Sequence, residues 1–248
     1  MKNPINIISI ITISLSLLFT SCVAFAKEIK GNGKLETQFI SISNFSIIEI
    51  ETSVEINYSQ EKNKGSLEFT VDENLFMYYN IHTNNGILYI ELKKEYKNKV
   101  HLKPTQTLIT LSSDDLDKIE IAGGGKFNFS TAYVSKKLEI AIAGSGKIFA
   151  NNFPVKIKEL KIDIAGSGNV YLLGTVQKAE FDIAGSGDVH ALECVIANLS
   201  VDIAGSGNVE AQVTDKLNAE IAGSGNVKFK GEPVVTTDIA GSGKVKKL

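Results

Sequence analysis

The chain has 248 residues, of which 43% are apolar, enough to bury a sizeable core and too apolar for a mainly disordered chain. Its formal charge is -2 and all 26 of its cationic side chains are lysine, so it has neither the basic excess nor the guanidinium forks that grip a phosphate backbone, and no nucleic-acid partner is expected. Three His and two Cys are too few and too scattered for a metal or disulfide framework, so no catalytic, cofactor-binding or metal-ligating residue is assigned.

In chain order, residues 1–26 read as an export signal: Lys2, an apolar run from Ile5 to Phe19, then small residues. The run is too short and wrongly flanked to span a membrane. Two processing readings stand. Phe19-Thr20-Ser21-Cys22 loosely resembles a lipobox that would place a lipid anchor on Cys22, whereas Ala24-Phe25-Ala26 fits ordinary cleavage before Lys27. The second is preferred, because a lipobox favours Leu where Phe19 stands. It leaves Cys194 alone, without an internal disulfide partner.

Residues 27–118 form a less regular β region. Alternating stretches at Phe45–Ile50, Val54–Tyr58, Leu67–Val71 and Ile87–Leu92 predict strands, with a turn at Asn84-Asn85-Gly86 and one short helical turn between Asp72 and Tyr79. The lysine-rich segment Lys93–Lys103 reads as a solvated loop or exposed edge. This region is expected to cap the C-terminal half of the chain, since stacked repeats need a closed end.

Residues 119–248 are organised by a repeat. Gly-Ser-Gly recurs at Gly144, Gly166, Gly185, Gly205, Gly223 and Gly241 after a degenerate Gly123-Gly124-Gly125, at spacings of 21, 22, 19, 20, 18 and 18 residues, and these copies hold 15 of the 21 glycines. The flanks alternate apolar and polar, as in Ile162-Asp163-Ile164 before one copy and Val170 and Leu172 after it, so a strand enters and leaves each glycine corner. Hairpins would turn at Asn-Gly or Asp-Gly every ~8–12 residues. A corner of constant type at near-20-residue spacing predicts an all-β, single-stranded parallel β-helix whose corners stack ~4.8 Å apart. Lys244, Lys246 and Lys247 on the last strand discourage edge-to-edge pairing.

The export signal, the stretches Phe45–Ile50 and Asn85–Ile90, the strand Thr107–Leu111 and the serial Ile-Ala-Gly-Ser-Gly-Asn-Val motifs resemble the head GIN domain family of autotransporter-adhesin heads. The likeness covers nearly all of residues 27–248. It implies a β-helical, non-enzymatic protein of the bacterial envelope or surface. No segment after the repeats reads as a membrane β-barrel, so self-sufficient autotransport is not expected.

Several rows of the repeat invite chemistry. An acid precedes the corner in Glu120, Asp163, Asp182, Asp202, Glu220 and Asp238, with Ala141 the exception, and stacked carboxylates could form a cation ladder or a glycosidase pair. Stacking produces such rows automatically, and exposed carboxylates are expected to be screened by water and lysine. Glycine-repeat calcium sites carry Asp two places after the last glycine, where this chain has Val170, Val189, Val209, Val227 and Val245. The corner serines, from Ser145 to Ser242, are expected to bond corner backbone groups rather than act as nucleophiles, since no paired His recurs. Asn169, Asp188, Asn208 and Asn226, with Lys126, Lys147 and Lys244, predict another stacked row suited to sugars. His190 falls near Asp188 and Asp202, His82 and His101 lack ligand spacing, and Cys194 reads as a buried packing residue.

The resulting expectation is an exported, non-catalytic surface or envelope protein, an adhesion or binding module for an envelope or extracellular glycan or a surface protein, placed in the periplasm, at the outer membrane or on the cell surface. The alternatives are a polysaccharide lyase or hydrolase on a β-helix and a purely structural periplasmic protein.

Overall fold

The computed structural model describes residues 26–248; the export segment through Phe25, Cys22 included, lies outside the described residues. In chain order the strands are β1 (Lys27–Lys30), β2 (Leu35–Ser41), β3 (Ile47–Ile50), β4 (Glu55–Gln60), β5 (Ser66–Asp72), β6 (Tyr79–Asn84), β7 (Ile87–Leu92), β8 (Val100–Lys103) and β9 (Thr107–Ser113). The repeats supply β10 (Lys118–Gly123), β11 (Lys126–Phe129), β12 (Tyr133–Gly144), β13 (Lys147–Gly166), β14 (Asn169–Gly185), β15 (Asp188–Gly205), β16 (Asn208–Gly223), β17 (Asn226–Lys230), β18 (Val234–Gly241) and β19 (Lys244–Lys247).

The repeats form the expected parallel solenoid, each coil pairing in register with the next. Ile140, Ile162, Phe181 and Val201 follow one another up the stack, and the glycine corners do the same. Each coil has three ladders. An inbound strand reaches the corner and an outbound strand leaves it. A return stretch, in which Tyr133, Val155, Gly174 and Cys194 are in register, carries the chain back. Only the first two are legible from the glycine flanks.

The corner needs both glycines. Gly166 has φ +126°, and a Cβ there would lie 2.6 Å from the carbonyl oxygen of Gly144 in the coil below. At Gly168 a Cβ would lie 2.6 Å from Ile142 Cγ2. The close approach lets Ser167 N–H donate to Gly144 O at 2.8 Å and Asn169 N–H to Gly146 O at 3.0 Å. The coils are therefore joined by backbone hydrogen bonds through the turn. Sequence reasoning assigned that task to the serine hydroxyls. The corner serines instead point outward, exposed, and their amides make the bonds.

The parallel stack begins inside the irregular half. β3 pairs in parallel with β10 and β7, and β4 with β11 and β9, so Leu88, Ile48 and Ile119 continue the interior row. Antiparallel strands then close both ladders. β6 pairs with β7 across a tight Asn85-Gly86 turn with φ 49° and 79°, and β5 pairs with β9 and carries β2 on its far side. The predicted helical turn is a 3-10 turn at Phe76–Tyr78. Within Lys93–Lys103, β8 pairs with β1 as a separate two-stranded sheet.

The core tapers along the axis. Just after the corner the interior residue is Phe127, then Ile148, Val170, Val189, Val209 and Val227, all buried. At the wide end Tyr58, Phe127, Phe129 and Tyr133 interlock, with Tyr58 5.7 Å from both phenyl rings and Phe129 5.0 Å from Tyr133. Their polar tips are satisfied: Tyr133 Oη donates to Leu116 O at 2.6 Å and Tyr58 Oη to Ser113 O at 3.2 Å. Burial pushes the Tyr58 hydroxyl up to about 12 and that of Tyr133 higher still.

Asp72, fully buried, pins the cap. Its carboxylate accepts from Gly33 N–H at 2.7 Å, Thr105 N–H at 2.7 Å and the Thr105 hydroxyl at 2.9 Å. Burial alone would raise its pKa, but these donors outweigh it and hold the carboxyl below its usual value.

Candidate functional site

With the apolar rows inside, every outward residue belongs to a row on one of the three faces. On the outbound face two rows run side by side. The row next to the corner reads Lys126, Lys147, Asn169, Asp188, Asn208, Asn226, Lys244, as the repeat predicted, and the structure extends it downward to Glu55. Its upper members bond one another: Asn208 Nδ2–H donates to Asp188 Oδ1 at 2.9 Å, and Asn226 Nδ2–H to Asn208 Oδ1 at 3.0 Å. Amides suit this place because each can donate to the coil below and accept from the coil above.

The second row was not anticipated. It reads Asn57, Asn128, Phe149, Tyr171, His190, Glu210, Lys228, Lys246. Phe149 and Tyr171 stack with centroids 5.0 Å apart and planes 4° apart, and Tyr171 and His190 with 4.6 Å and 13°. His190 Nδ1 then stands 3.9 Å from Glu210, which Lys228 holds at 3.0 Å. His190 thus faces Tyr171 and Glu210, not the Asp188–Asp202 pairing considered from sequence. Asp188 belongs to the neighbouring row and Asp202 to the inbound face. Aligning the copies on their last glycine puts these residues at one position, three places on, so the signal was present in the sequence. The rings spend their faces on one another, leaving edges and polar atoms toward solvent.

The inbound face carries the acid row, extended downward by Glu49: Glu49, Glu120, Ala141, Asp163, Asp182, Asp202, Glu220, Asp238. The expected screening by lysine is present in the middle of the row, but the expected exposure is not. The side chains of Asp163 and Asp182 are only 22% and 28% exposed, with Asp163 Oδ1 and Asp182 Oδ2 buried without a hydrogen-bond partner. Lys161 lies 3.3 Å from the first and 3.4 Å from the second. Desolvation, helped by the neighbouring Asp182 charge and only partly offset by Lys161, pushes the Asp163 carboxyl up to about 6. Asp202 is raised too, by desolvation and then by Asp182 and Glu220. In the row beside it, Lys118 bridges Glu120 and Glu139.

Among the described residues no three His, Cys, Asp or Glu side chains converge as a metal cage would, and no helix is long and apolar enough to cross a membrane. Cys194 is fully buried in the return ladder, where desolvation pushes its thiol up to about 12. His82 stacks on Tyr89, while His101 lines a concavity of about 410 Å³ beside Lys97 and Glu51. A larger concavity of about 660 Å³ lies along the return face.

Fold and faces together define a capped parallel β-solenoid with its outward polar residues arranged in rows. The chain belongs to the family described as "Putative auto-transporter adhesin, head GIN domain", which matches residues 44–233 and so spans both the mixed cap and the repeats. It is similar to a crystal structure from Parabacteroides distasonis called a "putative lipid binding protein", with 34% identity, 90% of this chain and 100% of that chain covered, and a TM-score of 0.75. A second Parabacteroides distasonis structure, a "putative adhesin", is 26% identical, with 90% and 100% coverage and a TM-score of 0.69. A "putative adhesin" from Bacteroides fragilis shares the fold at 22% identity, with 89% and 100% coverage and a TM-score of 0.78. No curated protein matches the chain.

Proposed function

We propose that this protein is an exported, non-catalytic binding module of the bacterial envelope or cell surface that contacts an extended glycan along its outbound face. The observation that carries the reading is the pair of adjacent rows there. One offers amides, carboxylate and ammonium groups at every coil, and the other a rigid aromatic ridge, both repeating at ~4.8 Å. Individually weak contacts at regular spacing give avidity without a deep pocket. Family membership supports an adhesive role. The test is an array of envelope and extracellular polysaccharides probed with residues 27–248 and with an Asn169→Ala, Asn208→Ala, Tyr171→Ala variant. Binding lost in the variant upholds the reading; absence of binding to every glycan overturns it. Protease accessibility of the repeats on intact cells, against cells with the outer envelope opened, separates surface from periplasm.

One observation favours a hydrolase instead. Asp163 and Asp182 are register partners on adjacent strands, whose ~4.8 Å spacing is close to the separation of a retaining glycosidase pair, and the pKa of Asp163 is raised. The pair lies on a sheet face with Lys161 against both carboxylates, an arrangement that occupies the acid rather than aiming it at a substrate. Turnover of any polysaccharide that disappears in Asp182→Asn would make the enzyme reading the better one.

A further inference from the structure

The third face is organised differently from the other two. Two outward rows border the bend where the return stretch becomes the inbound strand. One reads Val134, Lys156, Thr175, Val195, Gln212 in paired register. The other has one residue per coil, Lys136, Lys158, Gln177 and Ala197, at the point where the ladder is interrupted between return and inbound pairing. Between them runs the concavity of about 660 Å³, spanning five coils and so roughly 19 Å of the axis.

Its charge is lopsided. Lys136, Lys156 and Lys158 cluster at the wide end, and among the described residues none lies within 4 Å of a carboxylate. The acid lining the same groove, Asp115, is already engaged, its Oδ1 accepting from Leu116 N–H at 2.9 Å and lying 3.2 Å from Tyr133 Oη. On the inbound and outbound faces Lys118, Lys161 and Lys228 each have a carboxylate of the adjacent coil within 4 Å, while Lys126 and Lys147 of the outbound row, like the groove lysines, have none among the described residues. Here three are left unmatched over a floor that includes Val134, Val195 and Ala197, with Thr175, Gln177 and Thr214 as neutral hydrogen-bonding groups.

We infer that this groove binds a linear acidic polysaccharide, its carboxylate or sulfate groups on the Lys136, Lys156, Lys158 cluster and its neutral sugar edges along Thr175, Gln177 and Thr214. The reasons are charge complementarity and shape. Lysines are point charges that accept carboxylate or sulfate at many angles, the groove is long and open rather than deep, and the coil repeat is close to the length of one sugar in an extended chain. An acyl chain would need an enclosed apolar cavity, and a protein partner a broader surface. The inference stands apart from the outbound-face reading, because it uses different residues on a different face.

The experiment measures binding of residues 27–248 to polygalacturonate and dextran sulfate by calorimetry, with neutral dextran, polyglutamate and phosphatidylglycerol vesicles alongside. The expected result is binding to one or both acidic polysaccharides and not to dextran, weakened by added salt. Lys136→Gln, Lys156→Gln, Lys158→Gln together lower affinity at least about tenfold, whereas Lys62→Gln, Lys64→Gln, Lys94→Gln on the cap change it by less than about twofold. Ala197→Trp, which fills the groove without altering charge, weakens the same binding. Equal loss in both lysine triples, no effect of Ala197→Trp, equal or tighter binding of polyglutamate or vesicles, or no binding to either acidic polysaccharide would each overturn it. The outbound-face variant leaves this binding unchanged, so the two readings fail separately.

Discussion

The two ends of the solenoid are built on opposite principles. At the N-terminal end four aromatic rings fill the widest coils, antiparallel strands close both ladders, and Asp72 ties three segments together. At the other end the repeat continues unchanged into β18, whose every residue is exposed, including Val234 at 70% and Ile239 at 39%. Identical corner chemistry therefore yields very different local stability. What a coil contributes depends on having a neighbour on both sides, which a stack supplies in the middle and a cap must supply at an end.

The largest expected effect comes from emptying the filled end. Phe127→Ala should cost ~3–5 kcal/mol, because its cavity is walled by Tyr58 and Phe129, while Ile239→Ala, at the same solenoid's open end, should cost less than ~1 kcal/mol. Urea unfolding of both variants checks the contrast, and equal losses would erase the distinction between the ends. Asp72→Ala should cost ~1–3 kcal/mol by removing the buried carboxylate on which the Gly33 and Thr105 donors converge. Local hydrogen exchange should rise first around residues 31–34 and 103–107, and a uniform rise would argue against a clamp.

Corner glycines offer a finer test. Gly123 and Gly185 share a positive φ, +125° and +126°, but a Cβ at Gly185 would meet Gly166 O at 2.5 Å, whereas nothing lies within 4 Å at Gly123. Gly185→Ala should therefore destabilise by ~1–2 kcal/mol more than Gly123→Ala, the latter bearing only the backbone strain. The difference is readable in thermal melts.

The smallest effect is a pH dependence. The folded Asp163 carboxyl stands near 6 against its ordinary 3.8, so the folded state keeps a proton that the unfolded chain releases. Stability then falls as pH rises from about 4 through 6, by on the order of 1–2 kcal/mol, with Lys161, Asp182 and Glu180 as the charges facing the group. Asp72 runs the other way: its lowered value contributes stability that is lost as pH falls through the folded pKa. Comparing the pH dependence of unfolding for the native chain and Asp163→Asn isolates the first trend; if the variant keeps the full slope between pH 4 and 6, the acid row is solvated after all.

Much of the fold was readable from local pattern. Period-two alternation around repeated glycines names strands and corners, since a corner that brings backbones within hydrogen-bonding distance excludes a Cβ at the same place in each coil. The amide row followed from the same alignment, whereas burial of Cys194 was readable from the apolar stretch around it. The return ladder escaped notice because its residues, such as Tyr133, Val155, Gly174 and Cys194, share no residue type and sit beside register shifts at Ala150/Val155 and Tyr171/Leu173. The aromatic ridge Phe149, Tyr171, His190 was visible only as a position, because its members have different chemistry and meet only by stacking.

By itself, then, the amino-acid sequence determined the coil: its length, its corners, which residues lie inside and which form rows, all consequences of short-range sterics and alternation. Tertiary structure decided what those rows experience. Whether a carboxylate is solvated or desolvated, as at Asp163, whether a lysine is matched, as at Lys161, or left unmatched, as at Lys158, and where the stack is closed depend on atoms tens of residues away. Those atoms are brought within a few ångströms only when coils of unequal length settle into register.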